Sequence, residues 1–435
     1  MWLIDAIIWR EDIHMTGRLF RLALTVAFVV GTVAALTAPA QARQPIVAAP
    51  GRQPTAVAPP RPTDASQIAA LSATAEPSEL VAQWPPHGQA SIGNQQPIVI
   101  NDSFISPLIE LYGNVSVGEG VFVASNTVLR ADPQTRICLG DATNIQDNVS
   151  FLALRNAPAP SSACGQRASS TQDQVSIAHQ AVIKNSKIGR FTFVGFRARL
   201  ENVILDEGAF VLHGATLRNV HIGKDRLVPI GATITTQAQA DALPFKTDAN
   251  ADFQRDVLEV NHEFAEGYAE LYHDHGFDAV TGVSVAPTTT FNPQPVAPTL
   301  GANVQVATFP RIIGDVRIGA NSTVGQRTSI RADEGSPIII GQNAEIEDRV
   351  TFHALKGTSI TIGQSLDTDD NIVFHGPLKV GDNLTIGDDA VLFRSTVGNN
   401  VTIGEGAVVA DVTLHDGAVV PAGAIITTQA QADAL

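Results

Sequence analysis

An aliphatic residue recurs every six positions through most of the chain. Leu111, Val117, Val123 and Leu129 keep this phase, and after a short break so do Leu139, Ile145 and Phe151. The pattern returns as Ile312, Ile318, Val324 and Ile330, then Ile340, Ile346 and Phe352. It continues through Val380, Ile386 and Leu392 to Val397, Ile403 and Val409. A period of six is neither helical nor that of a plain alternating strand. It predicts a coil of three short strands per turn, with each aliphatic side chain turned to the axis and the turns stacked as a triangular prism of parallel strands. Gly follows many of these aliphatics, as in Val117-Gly118, Ile318-Gly319, Val380-Gly381 and Ile386-Gly387. Small residues are therefore expected at the corners, where space is tight and φ is sometimes positive.

The two arrays are copies of one another. Leu129-Arg130-Ala131-Asp132 matches Ile330-Arg331-Ala332-Asp333, and Asn144-Ile145-Gln146-Asp147 aligns with Glu345-Ile346-Glu347-Asp348. Both arrays end in the same nine residues, at Thr235–Leu243 and Thr427–Leu435. Only the first is followed by helical spacing, where Val257, Val260, Phe264, Tyr268 and Leu271 form an apolar stripe suited to packing along a prism face. The expected domains are 97–275, prism plus helix, and 298–435, the second prism, joined by a Pro- and Thr-containing linker over 276–297.

Composition extends this picture at the N-terminus. Arg18 and Arg21 precede the uncharged, mostly apolar run Leu22–Leu36, and Ala40-Gln41-Ala42 is a small-x-small cleavage site. Residues 1–42 are expected to be an export signal, with translation starting at Met1 or at Met15. The apolar run is short for a membrane span, so the expected destination is periplasmic or secreted, with no span after signal removal; an uncleaved anchor is the alternative. Residues 43–96, rich in Pro, Ala and Gln, are expected to be a disordered linker. A formal net charge of −15 argues against nucleic acid or an anionic membrane surface as partner. The two cysteines, Cys138 and Cys164, fall in the same domain and are expected to form a disulfide in an oxidising compartment.

Candidate chemistry lies in the second array. Phe352 and Phe374 occupy inward positions, so His353 and His375, one residue later, point outward on one face about one turn apart. Two stacked imidazoles on a rigid face make half of a metal site; the plainer reading is two surface histidines. His213, His221 and His415 are expected on faces or corners, and His262, His273 and His275 in solvent beside the helix.

Several motifs resemble those of the γ-class carbonic anhydrases. They are Arg331-Ala332-Asp333-Glu334-Gly335-Ser336-Pro337, Phe352-His353-Ala354-Leu355, His375-Gly376-Pro377, Ser176-Ile177-Ala178-His179-Gln180, and, in the helix, Val260-Asn261 with Ala265-Glu266-Gly267-Tyr268. The resemblance covers both arrays. It implies an all-β chain of two left-handed parallel β-helix (hexapeptide repeat) domains, the first followed by an α-helix. It implies trimeric or pseudo-trimeric self-association through prism faces. It also implies Zn2+, or Fe2+ or Co2+, held by three histidines, two from one prism and one from its neighbour, with carbon dioxide and bicarbonate as substrate and product.

Matched position by position, neither copy carries a complete ligand set. The second domain keeps His353 and His375 but has Asp370 at the third-ligand position. The first has His179 there but Leu152 and Lys184 at the other two. The family's carboxylate corresponds to Glu334 and its glutamine to Gln146, while Asn144 and Asn261 occur only in the first domain. The expectation is a hybrid site, with His179, His353 and His375 as metal ligands and Glu334, Gln146, Asn261 and Asn144 around the reacting groups. Arg130, Asp132, Arg331 and Asp333 are expected to make inter-domain ion pairs. The family's proton-shuttle glutamate is not matched: its positions read Arg155 and Lys356. A non-catalytic scaffold that binds bicarbonate or metal remains an alternative. So does a hexapeptide acyltransferase, although its acyl-CoA donor is absent from an exported compartment.

Overall fold

The computed structural model describes residues 79–81, 98–100, 102–165 and 167–435. The expected export signal, and most of the linker over 43–96, lie outside the described residues. Among the described residues no helix is long and apolar enough to cross a membrane.

Short strands follow one another into three sheets and return to the first, so the chain coils. Residues 79–234 build sheets of seven, seven and eight strands, and residues 282–426 build eight, seven and seven. Within the coils each strand pairs in parallel with the strand one turn on, as in Val128–Ala131 with Ser150–Ala153 and Thr351–His353 with Val373–His375; the exceptions are the antiparallel pairings of Glu79–Val81 with Asn114–Val117 and Ile98–Ile100 with Ser103–Ile105. The in-phase aliphatics form two separate cores, Ile105 to Leu243 and Ile312 to Ala432. Within the second, Phe352 and Phe374 stack 4.4 Å apart and nearly parallel. Both prisms end in a short capped helix, Gln237–Asp241 and Gln429–Ala432, whose N-cap Thr236 or Thr428 bonds reciprocally with a Gln three residues on.

Two boundaries differ from expectation. Glu79–Val81, inside the expected linker, pairs antiparallel with Asn114–Val117. Gly282–Ser284, inside the second expected linker, extends a sheet of the second prism by pairing with Arg311–Gly314. Neither stretch carries the six-residue period, since an edge strand has only one neighbour to match.

The corners also depart from the prediction. Most left-handed positions are Asn, Asp, Gln or Arg. The glycines after the aliphatics are needed for close approach: a Cβ on Gly319 would sit 2.4 Å from the Gln342 nitrogen. One corner of the first prism carries Asn126, Asn148, Gln180, Arg197, Gly214 and Gly231, all with φ between 55° and 67°. This corner abuts the second prism. Asn126 donates to the Arg327 carbonyl, Gln180 to those of Arg349 and Ile372, and Arg197 to that of Asn371. Further along, side chains give way to glycine because a Cβ on Gly231 would lie 2.5 Å from Ile425 Cδ1. The two prisms therefore run side by side, corner to corner.

On one side of that line the prisms close on each other. The second prism's strands Ser329–Ala332, Thr351–His353, Val373–His375, Val391–Phe393 and Val408–Ala410 are buried at every position. Strands on its other faces alternate buried and exposed. The covering surface is the first prism's face built on Phe122–Val123, Asn144–Ile145, Ser176–Ile177 and Phe193–Val194. The helix Asp248–His275, capped by Thr247, spans both: Phe264 and Tyr268 pack on Phe104 and Phe122, within a cluster that includes Ile313 of the second prism. Cys138 and Cys164 are disulfide-bonded within the first prism.

Candidate metal centre

His353 and His375 lie on adjacent paired strands of the second prism, and their outward side chains meet the first prism. His179 follows strand Ser176–Ile177, at the corner that abuts. All three are buried, and one ring nitrogen from each falls within 4.8 Å of the others. His353 Nδ1 is 3.2 Å from His179 Nε2 and 3.2 Å from His375 Nε2. Ring nitrogens bound to one tetrahedral ion at about 2.0–2.1 Å lie roughly 3.3–3.4 Å apart, so this spacing suits a shared cation.

The outer nitrogens explain why the inner lone pairs converge. His179 Nδ1 is 3.4 Å from Asp147 Oδ2. His353 Nε2 is 3.2 Å from Glu334 Oε1 and 3.6 Å from Asp333 Oδ1. None of the three contacts is aligned as a hydrogen bond, but a carboxylate beside one ring nitrogen favours the proton there and leaves the other nitrogen as acceptor. Three inward lone pairs cannot satisfy one another, since His353 Nδ1 carries at most one proton and has two partners. An all-nitrogen set with one side left for a further ligand fits Zn2+, Fe2+ or Co2+.

Electrostatics agree with the geometry. Burial lowers His179 to about 4, and it holds His375 well below the ordinary range, so both rings are neutral at pH 7. Burial also opposes charge on His353, but Asp333 and Glu334 outweigh it and push the ring up to about 9. In the absence of a cation the cluster thus favours one positive charge, an added proton on His353.

A buried polar network fixes this arrangement across the prisms. Arg331 donates to Asp147 Oδ2 at 2.7 Å and Gln146 Oε1 at 3.0 Å, both in the first prism, and to Asp333 in its own. Burial would raise both carboxyls, but the Arg331 guanidinium holds Asp147 and Asp333 well below the usual carboxylate range. Ser329 donates to Asp147, and Tyr268 of the helix donates to Asp333 at 2.6 Å. Gln146 donates to Asn261 Oδ1 at 2.6 Å, and Asn144 donates to Ser176 Oγ. The second Glu334 oxygen accepts the Lys356 backbone N–H.

Gln146, Asn261, Glu334 and the three histidines therefore gather in one buried region. One expectation needs correcting. Arg130 and Asp132 pair with each other inside the first prism, and Arg130 is 45% exposed, where an inter-domain pair was expected. Their copies Arg331 and Asp333 sit on the face closed between the prisms, whereas Arg130 sits on a face turned away from the second prism's histidine-bearing strands.

Asp147, Phe196 and Phe393 were not singled out by the sequence motifs, and Tyr268 stood there only as part of the helix motif and its apolar stripe. The sequence signal for Asp147 was its adjacency to Gln146; the others read as ordinary apolar positions. His213 lies at a corner, as expected, directly before Gly214, and is buried there against the second prism. It stacks 4.2 Å from Phe196 and lies 4.8 Å from Phe393. The Phe196 backbone N–H donates to its Nδ1, and burial lowers it to about 3. Its folded pKa lies below the unfolded value near 6.5, so the unfolded chain takes up the extra proton as pH falls. The stability tied to a neutral His213 is complete above pH about 6.5 and is lost on acidification toward 3, by up to ~1.4 kcal/mol per pH unit. His213→Phe should therefore unfold less readily than the parent at pH 5, relative to pH 7.5, by about 2 kcal/mol in urea titrations. An equal acid loss in both proteins would contradict this.

Two parallel β-helices with a three-histidine centre between them define the class of protein. No family model matches the chain. Against curated proteins it is 34% identical over 202 residues to the carbonic anhydrase of Methanosarcina thermophila, covering 44% of this chain and 79% of that one. It belongs to the γ carbonic anhydrase family. It is also 39% identical over 167 residues to the carboxysome assembly protein CcmM of Nostoc sp., 38% of this chain. It is 32% identical over 130 residues to mitochondrial gamma carbonic anhydrase 1 of Arabidopsis thaliana, 29% of this chain. The matches span only 30% and 45% of those two relatives' own lengths.

Proposed function

We propose that the chain reversibly hydrates carbon dioxide to bicarbonate at a divalent metal held by His353 and His375 of one prism and His179 of the other. The observation that carries this reading is the convergence of three buried imidazole nitrogens, within 4.8 Å, from two copies that each lack a full set. A divalent metal bound there supplies Lewis acidity, lowering the pKa of a coordinated water toward neutrality. The chain's own residues do the rest. Asp147 and Glu334 orient His179 and His353, and the Arg331 network locks the two prisms at the spacing the ligands need. Gln146 and Asn261, already bonded to each other, are placed to offer polar contacts to a small oxyanion. Proton exit has no glutamate at the family's position, so hydration should depend on buffer concentration.

The test is purification after expression with Zn2+, Fe2+ or Co2+, followed by metal analysis and stopped-flow hydration. The expected result is about one metal per chain and a buffer-dependent rate. A second reading, a non-catalytic assembly scaffold, draws on the likeness to CcmM. Full metal occupancy without hydration at any buffer concentration would favour it, and no metal after reconstitution would remove the site itself.

Export to a periplasmic or extracellular space is proposed on the N-terminal sequence, and a cell fractionation checks it. The disulfide agrees with that compartment.

A further inference from the structure

The linker between the prisms is held along its length. Buried Arg311 donates to the Thr281 carbonyl and, at 2.7 Å, to Ser284 Oγ. Pro287 lies so close to the helix that a Cβ on Gly267 would sit 3.0 Å from Pro287 Cβ. The Glu263 carboxylate accepts the Thr290 backbone N–H at 2.7 Å and the Thr290 hydroxyl at 2.6 Å. Thr289 and Asn292 are buried and bond reciprocally through their backbones, which closes a turn. That turn sits against the loop that carries Glu334, where Asn292 Nδ2 donates to the Asp333 carbonyl at 3.1 Å.

The duplicate loop in the first prism shows what this contact replaces. There the Asp132 carbonyl accepts from its own prism, from the Thr135 N–H and hydroxyl. In the second prism Thr135 becomes Ser336, whose hydroxyl accepts the Thr358 N–H instead, and the Asp333 carbonyl is met by Asn292. Gln134 stands left-handed at φ 70° in the first prism, and its copy Gly335 at φ 72° in the second. The backbone therefore tolerates a side chain at this position. A Cβ on Gly335, however, would lie 3.1 Å from the Phe291 carbonyl oxygen, so the glycine answers to the approach of the linker. Pro133 of the first prism becomes Glu334 in the second, so the loop that the linker grips is the one with the carboxylate.

Phe291 extends the grip to the other support of Glu334. Its ring packs edge-on to Phe264 of the helix, 5.5 Å between centroids, and the Lys356 ammonium lies 5.6 Å above it. The Lys356 backbone N–H donates to one Glu334 oxygen at 2.7 Å, while the other oxygen lies 3.2 Å from His353 Nε2. We propose that the linker positions Glu334, with Asn292 as the positioning residue, so that the segment joining the prisms helps to hold the carboxylate beside the metal centre. This rests on the reading of the three-histidine centre as a hydration site. Loosening the turn lets Glu334 leave His353, which weakens the orientation of that ligand and the carboxylate's contact with the reacting groups.

Hydrogen–deuterium exchange of the full chain, read by mass spectrometry, tests this without metal or turnover. In Asn292→Ala the Lys356 amide should exchange about 10-fold faster, the change expected for loss of one buried hydrogen bond, while peptides around His179 exchange as in the parent. Thr290→Val, on the exposed side of the turn, removes one bond to Glu263 and should give the same pattern at about 3-fold. Zn2+ titration and stopped-flow hydration supply the second readout. Asn292→Ala should lower Zn2+ affinity and kcat by about 10-fold each, with KM unchanged. In a Glu334→Ala background the same substitution should change neither by more than about twofold, because its effect runs through a carboxylate already removed. A Lys356 amide that exchanges as in the parent in both linker variants overturns the proposal. So does an equal loss of affinity in the two backgrounds, which would mark Asn292 as purely structural. Metal bound by the parent without hydration overturns the reading of the reaction alone, and exchange and affinity then still decide whether Asn292 positions Glu334.

Discussion

His179→Ala should abolish metal retention and hydration together while leaving both prisms folded. The side chain is the first prism's sole contribution to the three-nitrogen cluster, although most of the first prism's surface is remote from it. Removing a partner that only orients a ligand typically costs about 10–100-fold in metal affinity, so loss of a ligand itself should cost more. Metal analysis should read near zero per chain, against about one for the parent, and circular dichroism should be unchanged. A second substitution sharpens the result. Asp370 is the second prism's copy of this position, yet it follows Asp367–Thr368 on the sheet that carries Glu345, a different face from the one bearing His353 and His375. His179→Ala with Asp370→His should therefore stay metal-free, whereas an imidazole on the first prism is the one that counts. Retained metal and rate in His179→Ala would end the shared-site reading.

The architecture was legible because one inward residue recurs in every strand, and the repeat of Thr235–Leu243 at Thr427–Leu435 revealed the duplication. The divided ligand set was legible by matching the two copies to one pattern. What could not be read was which faces meet. A six-residue period records the direction toward each axis and is silent about the outside. A weaker signal was present: the outward positions Val373, Val391 and Val408 are apolar, while their counterparts on the sheet that carries Glu345 are Asp367, Thr385 and Thr402. Two apolar residues in a row mark a strand buried on both sides. The same blindness explains why Arg130-Ala131-Asp132 and Arg331-Ala332-Asp333 received one interpretation. Identical local sequences carry different energies when one face is covered and the other is wet.

That difference gives the second large effect. Arg331→Met should destabilise the folded chain by about 3–5 kcal/mol at neutral pH, because it leaves two buried carboxylates without their cation. Arg331 is 1% exposed and bonds Asp147 across the interface and Asp333 beside it. Arg130→Met, at the duplicate position, removes a partly exposed pair and should cost at most about 1 kcal/mol. The pH dependence carries the diagnostic sign. In the parent, Asp147 and Asp333 are held below their unfolded pKa, so their contribution is present above about pH 4 and is lost as pH falls. Without the guanidinium, burial dominates and raises these carboxyls. The variant's stability then falls as pH rises, and its deficit should shrink on acidification from pH 7 to 5. Urea unfolding of parent and both variants across that range measures this. A deficit independent of pH would show that lost packing, not stranded charge, is the cost. Metal affinity should fall along with stability in Arg331→Met, since the same guanidinium holds the prism bearing His179 at the spacing that His353 and His375 require.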